Sequence, residues 1–110
     1  MPVLKLTTTG RRSGQPREVL LTYLDHPDGF VVAASNAGAA HDPAWWLNLQ
    51  SQPAAVVEVG RRATEVRARL LEGDERDQAW HRLVEINDGY RVYAESMERE
   101  VPVVLLQPTS

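Results

Sequence analysis

Short apolar segments follow one another along this chain through tight turns, with few helical patterns between them. Alternating polarity or β-branched content indicates strands, which cover 3–9, 19–24, 30–34, 54–59, 63–71 and 101–106. The turn sequences at 26–29 and 60–62 each predict a hairpin, the first joining 19–24 to 30–34. Strands that follow strands directly favour an antiparallel sheet or barrel over alternating βαβ units.

Three helices are predicted from caps and periodicity. Asp42 is the predicted N-cap of the first, with Pro43 at its first helical position and an end near Ser51. The second begins after a cap at Asp74 and ends at Gly89. Its apolar stripe comprises Ala79, Trp80, Leu83, Val84 and Ile86. A third, shorter helix places on one face Tyr90, Tyr93, Ala94 and Met97. The order β-β-β-α-β-β-α-α-β predicts a small β-barrel with flanking helices.

Composition excludes several classes of protein. A chain of 110 residues with 43% hydrophobic and 25% charged residues predicts one folded domain over residues 1–110. The absence of cysteine excludes disulfide scaffolds, thiolate metal sites and cysteine nucleophiles, and the three scattered histidines fit no metal motif. The net charge of −3 argues against a nucleic-acid partner. With no membrane-spanning run and no signal-peptide pattern at the start, a cytoplasmic protein is predicted.

The first candidate site is the Gly-rich basic segment at 10–17. Two glycines let the backbone approach a ligand, and arginines supply charge-assisted bidentate hydrogen bonds, so such a turn can hold a phosphate. The alternative is a hairpin turn whose arginines point into water, and composition alone does not separate the two.

The second candidate site covers 33–46, where a strand ends in small residues before a helix begins. This pattern leaves space beside the positive end of the helix for a flat or anionic ligand. The alternative is that Trp45 and Trp46 only anchor the helix. Because neighbouring helical residues diverge by about 100°, we expect only one of them to face the core.

Together these segments resemble a known family. The resemblance rests on the opening 6–17, the strand end at 32–35, Pro43-Ala44-Trp45, the following Trp46-Leu47-Asn48-Leu49 and the closing 101–104. In this combination and order they resemble the deazaflavin (coenzyme F420)-dependent nitroreductase and quinone reductase family of actinobacteria. The resemblance implies a split β-barrel, related to flavin-reductase and pyridoxamine-phosphate-oxidase barrels. Family members commonly carry a segment ahead of the first strand, so a more open pocket is expected here.

The resemblance also implies chemistry and residue roles. The implied reaction moves a hydride from reduced F420 to a quinone, a nitro compound or an activated alkene. Arg12, Ser13 and Gly14 match the phosphate loop, with Arg11 and Arg17 as electrostatic support. The other implied cofactor-binding residues are Ala34, Ser35, Asn36, Ala37 and Trp45. Asn36 stands where the family often has lysine.

Three candidates remain for the proton donor and the edge of the acceptor pocket. By resemblance, Tyr90 is the proton donor and Tyr93 lines the pocket; the alternative is that both only pack their rings against the barrel. His41 is the other candidate acid; the alternative interpretation is that it is only an exposed loop residue. Two other functions stay open, an FMN-dependent enzyme of the same fold and a deazaflavin-binding module without catalysis. A homodimer is expected because an open barrel leaves strand edges and apolar faces to cover.

Overall fold

Seven strands and three helices make up the part of the chain that the computed structural model describes, residues 2–36, 39, 41–96 and 100–109. The strands are β1 (Val3–Thr9), β2 (Pro16–Thr22), β3 (Leu24–His26), β4 (Gly29–Ala33), β5 (Ala54–Val59), β6 (Arg62–Leu70) and β7 (Val103–Pro108). The helices are α1 (Ala44–Ser51), α2 (Gly73–Ile86) and α3 (Gly89–Ser96). No helix among the described residues is long and apolar enough to cross a membrane.

All seven strands lie in one antiparallel sheet with the order β2-β1-β5-β6-β7-β4-β3. The two edge strands, β2 and β3, are separated in the chain by Tyr23 alone. The sheet must therefore curl until its edges come near each other without pairing. This arrangement is a split β-barrel, so the predicted fold class is confirmed.

The predicted single strand over 19–24 is wrong, because the chain passes from one sheet edge to the other at Tyr23. Residues before Tyr23 pair with β1, whereas Leu24 pairs with Val31 of β4. Tyr23 itself packs inside the barrel, edge-on against Phe30 at 5.4 Å between ring centroids. Both halves of the segment are apolar, so alternation gave no signal of the break.

The helix ends differ from the prediction at three places. Pro43 occupies the N-cap of α1 in an extended conformation and makes no side-chain cap hydrogen bond, so the predicted cap Asp42 lies one position before the N-cap. Helix α2 already begins at Gly73, with Asp74 inside its first turn. It ends at Ile86, and Gly89, its predicted terminus, begins α3.

The core has two parts, one on each face of the sheet. Inside the barrel, Leu4, Leu6 and Leu106 pack against α1, while α2 and α3 cover the outer face around Val103 and Leu105. Strand β7 contributes alternate residues to both parts, which explains why its first four residues, 103–106, are all apolar and buried.

Both tryptophans of α1 face the barrel core, so the expectation that only one would do so is wrong. Trp45 and Trp46 are each 7% exposed and belong to the same buried cluster. Their rings lie 6.5 Å apart at 64°. Indole rings are large enough to reach the core from two sides of a helix that lies against the barrel.

Candidate active site

A groove of about 820 Å³ opens between the edge strand β2 and the segment that runs from the end of β4 to the start of α1. One wall is β2 together with the turn that precedes it. The other wall is the end of β4, the loop at Ser35 and Asn36, and the start of α1. Tyr90 of α3 also borders the groove. The two sequence-predicted segments therefore lie on opposite walls of one site.

The turn between β1 and β2 is held by its own backbone. Gly10 N–H donates to the Gln15 carbonyl at 2.8 Å, and Gly14 N–H donates to the Gly10 carbonyl at 2.8 Å. Gly14 has φ +72°, a conformation that favours glycine. A Cβ at Gly10 would lie 2.7 Å from Ser13 Oγ and 3.2 Å from the Gln15 carbonyl oxygen, so a side chain there would displace Ser13. The glycines predicted for this turn are thus required by its shape.

Three arginines line this end of the groove and differ in their partners. Arg17 Nη2 donates to Ser13 Oγ at 3.3 Å, and Arg11 is bonded to α1. Arg12 is exposed and forms no hydrogen bond or ion pair with the described part of the chain. Glu18, a carboxylate lining the groove, is engaged by Lys5 at 3.3 Å. This end of the groove therefore carries positive charge that an anion can neutralise.

Asn48 of α1 was not predicted from the sequence, yet it joins the two walls. It is 3% exposed, and its Nδ2 donates to Thr8 Oγ1 at 3.1 Å. Its Oδ1 accepts from the Arg11 backbone N–H at 3.2 Å and from Arg11 Nη1 at 3.0 Å. The signal in the sequence is an amide three residues after Trp45, on a helical face that is otherwise apolar.

The loop after β4 offers small, mostly uncharged groups. Ser35 and Asn36 line the groove, whereas Ala34 is buried in the barrel core and its N–H donates to the Pro102 carbonyl at 2.9 Å. Asn36 has φ +49°, which asparagine tolerates, and its Nδ2 donates to the His41 carbonyl at 3.1 Å. Ala37 lies outside the described residues.

Trp45 and Tyr90 supply aromatic surface to the groove. Tyr90 is 6% exposed, and its hydroxyl lies 2.7 Å from Thr22 Oγ1, with either oxygen able to donate. This bond links α3 to the end of the edge strand β2.

Two other predicted residues stand apart from the groove. Tyr93 is partly buried and is not among the described residues that line it. His41 is exposed and also lies outside that lining. Met97, predicted on the same helical face as Tyr90, lies outside the described residues.

Comparison with known proteins identifies the family. The model of the F420H(2)-dependent quinone reductase family matches residues 1–108. The chain belongs to this family. The resemblance inferred from the sequence is therefore confirmed, together with the class of enzyme, an oxidoreductase that takes a hydride from F420H2, and with coenzyme F420 as the cofactor.

Relatives support this membership over almost the whole chain. The F420H(2)-dependent quinone reductase Rv1261c of Mycobacterium tuberculosis (strain ATCC 25618 / H37Rv) is 34% identical over 108 residues, which cover 96% of this chain and 72% of that protein. A solved F420-H2 dependent reductase, FDR-A, has a TM-score of 0.87 at 32% identity, covering 96% of this chain and 94% of that chain. A structure described as a domain-swapped dimer has a TM-score of 0.88 at 32% identity, and the match covers 96% of this chain and 80% of that chain.

Proposed function

We propose that this chain reduces quinones with F420H2 and that the groove between β2 and α1 holds the cofactor. The observation that carries the assignment is the division of the groove lining between its two walls. Arg11, Arg12 and Arg17 come from the turn that precedes β2, while small residues and the Trp45 ring come from the opposite wall. F420 has the same division, because it joins a flat deazaflavin ring to a phosphate and an oligoglutamate tail.

The arginine-bearing turn at 10–17 is proposed to bind the phosphate. Arg12 lacks a partner in the described chain, and the turn that carries it is held by two hydrogen bonds of the Gly10 backbone. Guanidinium groups bind phosphate oxygens through two parallel hydrogen bonds. Arg12 is therefore assigned direct contact with the phosphate, and Arg17, already bonded to Ser13, is assigned a supporting charge.

The wall opposite β2 is proposed to hold the ring. Ser35 and Asn36 present short side chains there, and Trp45 contributes an indole at the start of α1. A flat ring with polar edges fits such a wall, since apolar surface covers its face while hydroxyl and amide groups meet its edges. Ala34 is assigned to support this wall from the core, because its side chain is buried in the barrel.

Tyr90 is proposed to serve the acceptor. Bound F420H2 supplies the hydride, and a quinone that gains a hydride and one proton becomes a hydroquinone. The Tyr90 hydroxyl can donate that proton to the acceptor oxygen that gains charge, while Thr22 Oγ1, 2.7 Å away, donates to the tyrosine oxygen. Water then returns the proton to Tyr90. His41, which is exposed and lies outside the described lining of the groove, is the alternative donor.

A homodimer is proposed as the working unit, with one domain per protomer. Strand β2 is a sheet edge, and Leu20 on it is 70% exposed, a combination that association would cover. The related structure described as a domain-swapped dimer supports this proposal. Light scattering on the purified protein tests it, and a monomeric mass at micromolar concentration would contradict it. The cytoplasm is the proposed compartment, which cell fractionation tests.

The experiment that tests the function follows oxidation of F420H2 by a naphthoquinone, with the purified protein as catalyst. We expect turnover that saturates with both reactants and that is absent without protein. A protein that binds F420 without turning over any quinone, nitro or alkene acceptor would instead be a binding module. Turnover with reduced FMN in place of F420H2 would favour the FMN-dependent alternative.

A further inference from the structure

Asn48 is a polar residue in an apolar place, and both the oxygen and the nitrogen of its amide are hydrogen-bonded to other side chains or backbone. It is 3% exposed on α1, within one helical turn of two tryptophans that belong to the barrel core. Its oxygen accepts two hydrogen bonds from Arg11, and its nitrogen donates to Thr8. The three bonds fix which way the amide points, because only the oxygen can accept from the guanidinium.

These bonds tie the cationic turn to the opposite wall of the groove. Thr8 belongs to β1 and is buried, and Arg11 is the first residue of the turn after Gly10. One bond holds the Arg11 backbone N–H, so Asn48 fixes the main chain of the turn as well as a side chain. Glycines at 10 and 14 give the free chain many conformations, and a contact that selects one of them reduces the entropy lost when a ligand binds.

We infer that Asn48 is a positioning residue for cofactor binding, which sets the turn at 10–17 for the anionic part of F420 and acts through Arg11. This inference rests on the proposed phosphate site at the same turn. Aspartate can accept from the Thr8 hydroxyl and from Arg11, but it places a negative charge beside the turn that would bind the anion, and leucine leaves Thr8 and Arg11 without their partner. Asparagine bonds both without adding a charge.

The test compares two ligands, F420 and the deazaflavin riboside that lacks the phosphate and the oligoglutamate. Dissociation constants are measured by fluorescence titration for wild type, Asn48→Ala and Asn48→Asp. We expect Asn48→Ala to weaken F420 about tenfold, the loss of roughly one hydrogen bond to a charged group, and to leave the riboside within about twofold. Asn48→Asp should weaken F420 at least as much, because the carboxylate neutralises Arg11.

A matched control separates positioning from stability. Leu49→Ala removes a core side chain from the same helix, since Leu49 is buried and makes apolar contacts only. Its thermal midpoint should fall at least as far as that of Asn48→Ala, whereas its ratio of F420 to riboside affinity should match wild type. If Asn48→Ala lowers both affinities equally, or Asn48→Asp binds F420 as wild type does, Asn48 has only a structural role.

Arg12→Ala distinguishes the failure of this inference from the failure of the proposed site. A loss of F420 affinity in Arg12→Ala with no change of the ratio in Asn48→Ala overturns the role of Asn48 alone. If neither variant changes the ratio of F420 to riboside affinity, the phosphate is not bound at this turn and the proposed site is wrong.

Discussion

The three arginines of the groove differ in whether another group of the protein already accepts a hydrogen bond from them. Arg11 is bonded to Asn48 and Arg17 to Ser13, whereas Arg12 has no partner in the described chain. A cation without a protein partner keeps its full capacity for an anionic ligand. This difference makes Arg12 the most informative position of the three.

Arg12→Ala is expected to raise the dissociation constant for F420 by one to two decades. The physical reason is the loss of a charge-assisted contact worth about 1.5–3 kcal/mol. Titration at several salt concentrations checks it, because added salt should weaken wild type more than the variant. Arg61→Ala, which removes an exposed arginine from the turn between β5 and β6, is the control. Unchanged affinity in a folded Arg12→Ala protein would mean that the turn is only solvated.

Tyr90→Phe is expected to lower turnover about a hundredfold while leaving F420 affinity nearly unchanged. The ring stays in its packing against Trp80, at 6.3 Å between centroids, and only the hydroxyl bonded to Thr22 is lost. Steady-state rates with several quinone and nitro acceptors measure the effect. Tyr93→Phe should change the rates less, since Tyr93 does not line the groove. Equal rates for wild type and Tyr90→Phe would leave His41 or solvent as the donor.

At the scale of elements, two hairpins place different demands on their glycines. Gly29 has φ +148°, and a Cβ there would collide with the Leu106 carbonyl of β7. Gly60 has φ +60° with open space around it. Gly29→Ala should therefore lower the free energy of unfolding by about 2–4 kcal/mol, against about 1 kcal/mol for Gly60→Ala. Denaturant unfolding measures both, and equal losses would show that backbone conformation alone matters.

Helix α2 is joined to β6 by an ion pair whose effect depends on pH. Arg69 lowers the pKa of Glu75 from its ordinary value of 4.5, chiefly by hydrogen bonding. The pair thus stabilises the fold above that pH and stops doing so as pH falls through the lowered pKa. Glu75→Gln should be slightly less stable than wild type at pH 7, as exposed pairs contribute little, and equally stable near pH 2. Glu85→Gln, an exposed residue of the same helix, is the control in thermal unfolding. A deficit in Glu75→Gln that persisted at acid pH would have another cause.

Local patterns predicted most elements, and contacts between distant residues explain the errors. Alternation and turn residues placed the strands, since both are properties of neighbouring positions. The break at Tyr23 depends on where the sheet edges meet, which no local window contains. The cap of α1 depends on the backbone of Pro43. In the site, Asn48 was missed because its partners lie 37 and 40 positions away along the chain.

The whole molecule carries a net charge of −3, yet one groove gathers arginines from the turn at 10–17. The carboxylate of Glu18 in the groove lining is engaged by Lys5, and acidic groups elsewhere on the described surface are engaged by Arg69, Arg76 and Arg91. An anionic cofactor is therefore drawn to one place on a protein that is acidic overall. The split barrel creates this groove because it brings two segments that are distant in the sequence, the turn at 10–17 and the loop after β4, to opposite walls.

The central claim, that this groove selects a deazaflavin cofactor, is tested most directly by equilibrium titration of the purified protein with F420 and with FMN. Both ligands carry a flat ring and a phosphate, and F420 adds an anionic tail. A difference in affinity therefore comes from the ring itself or from the tail. The account predicts that F420 binds more tightly than FMN. Comparable affinities, or FMN found in the purified protein together with no binding of F420, would contradict it.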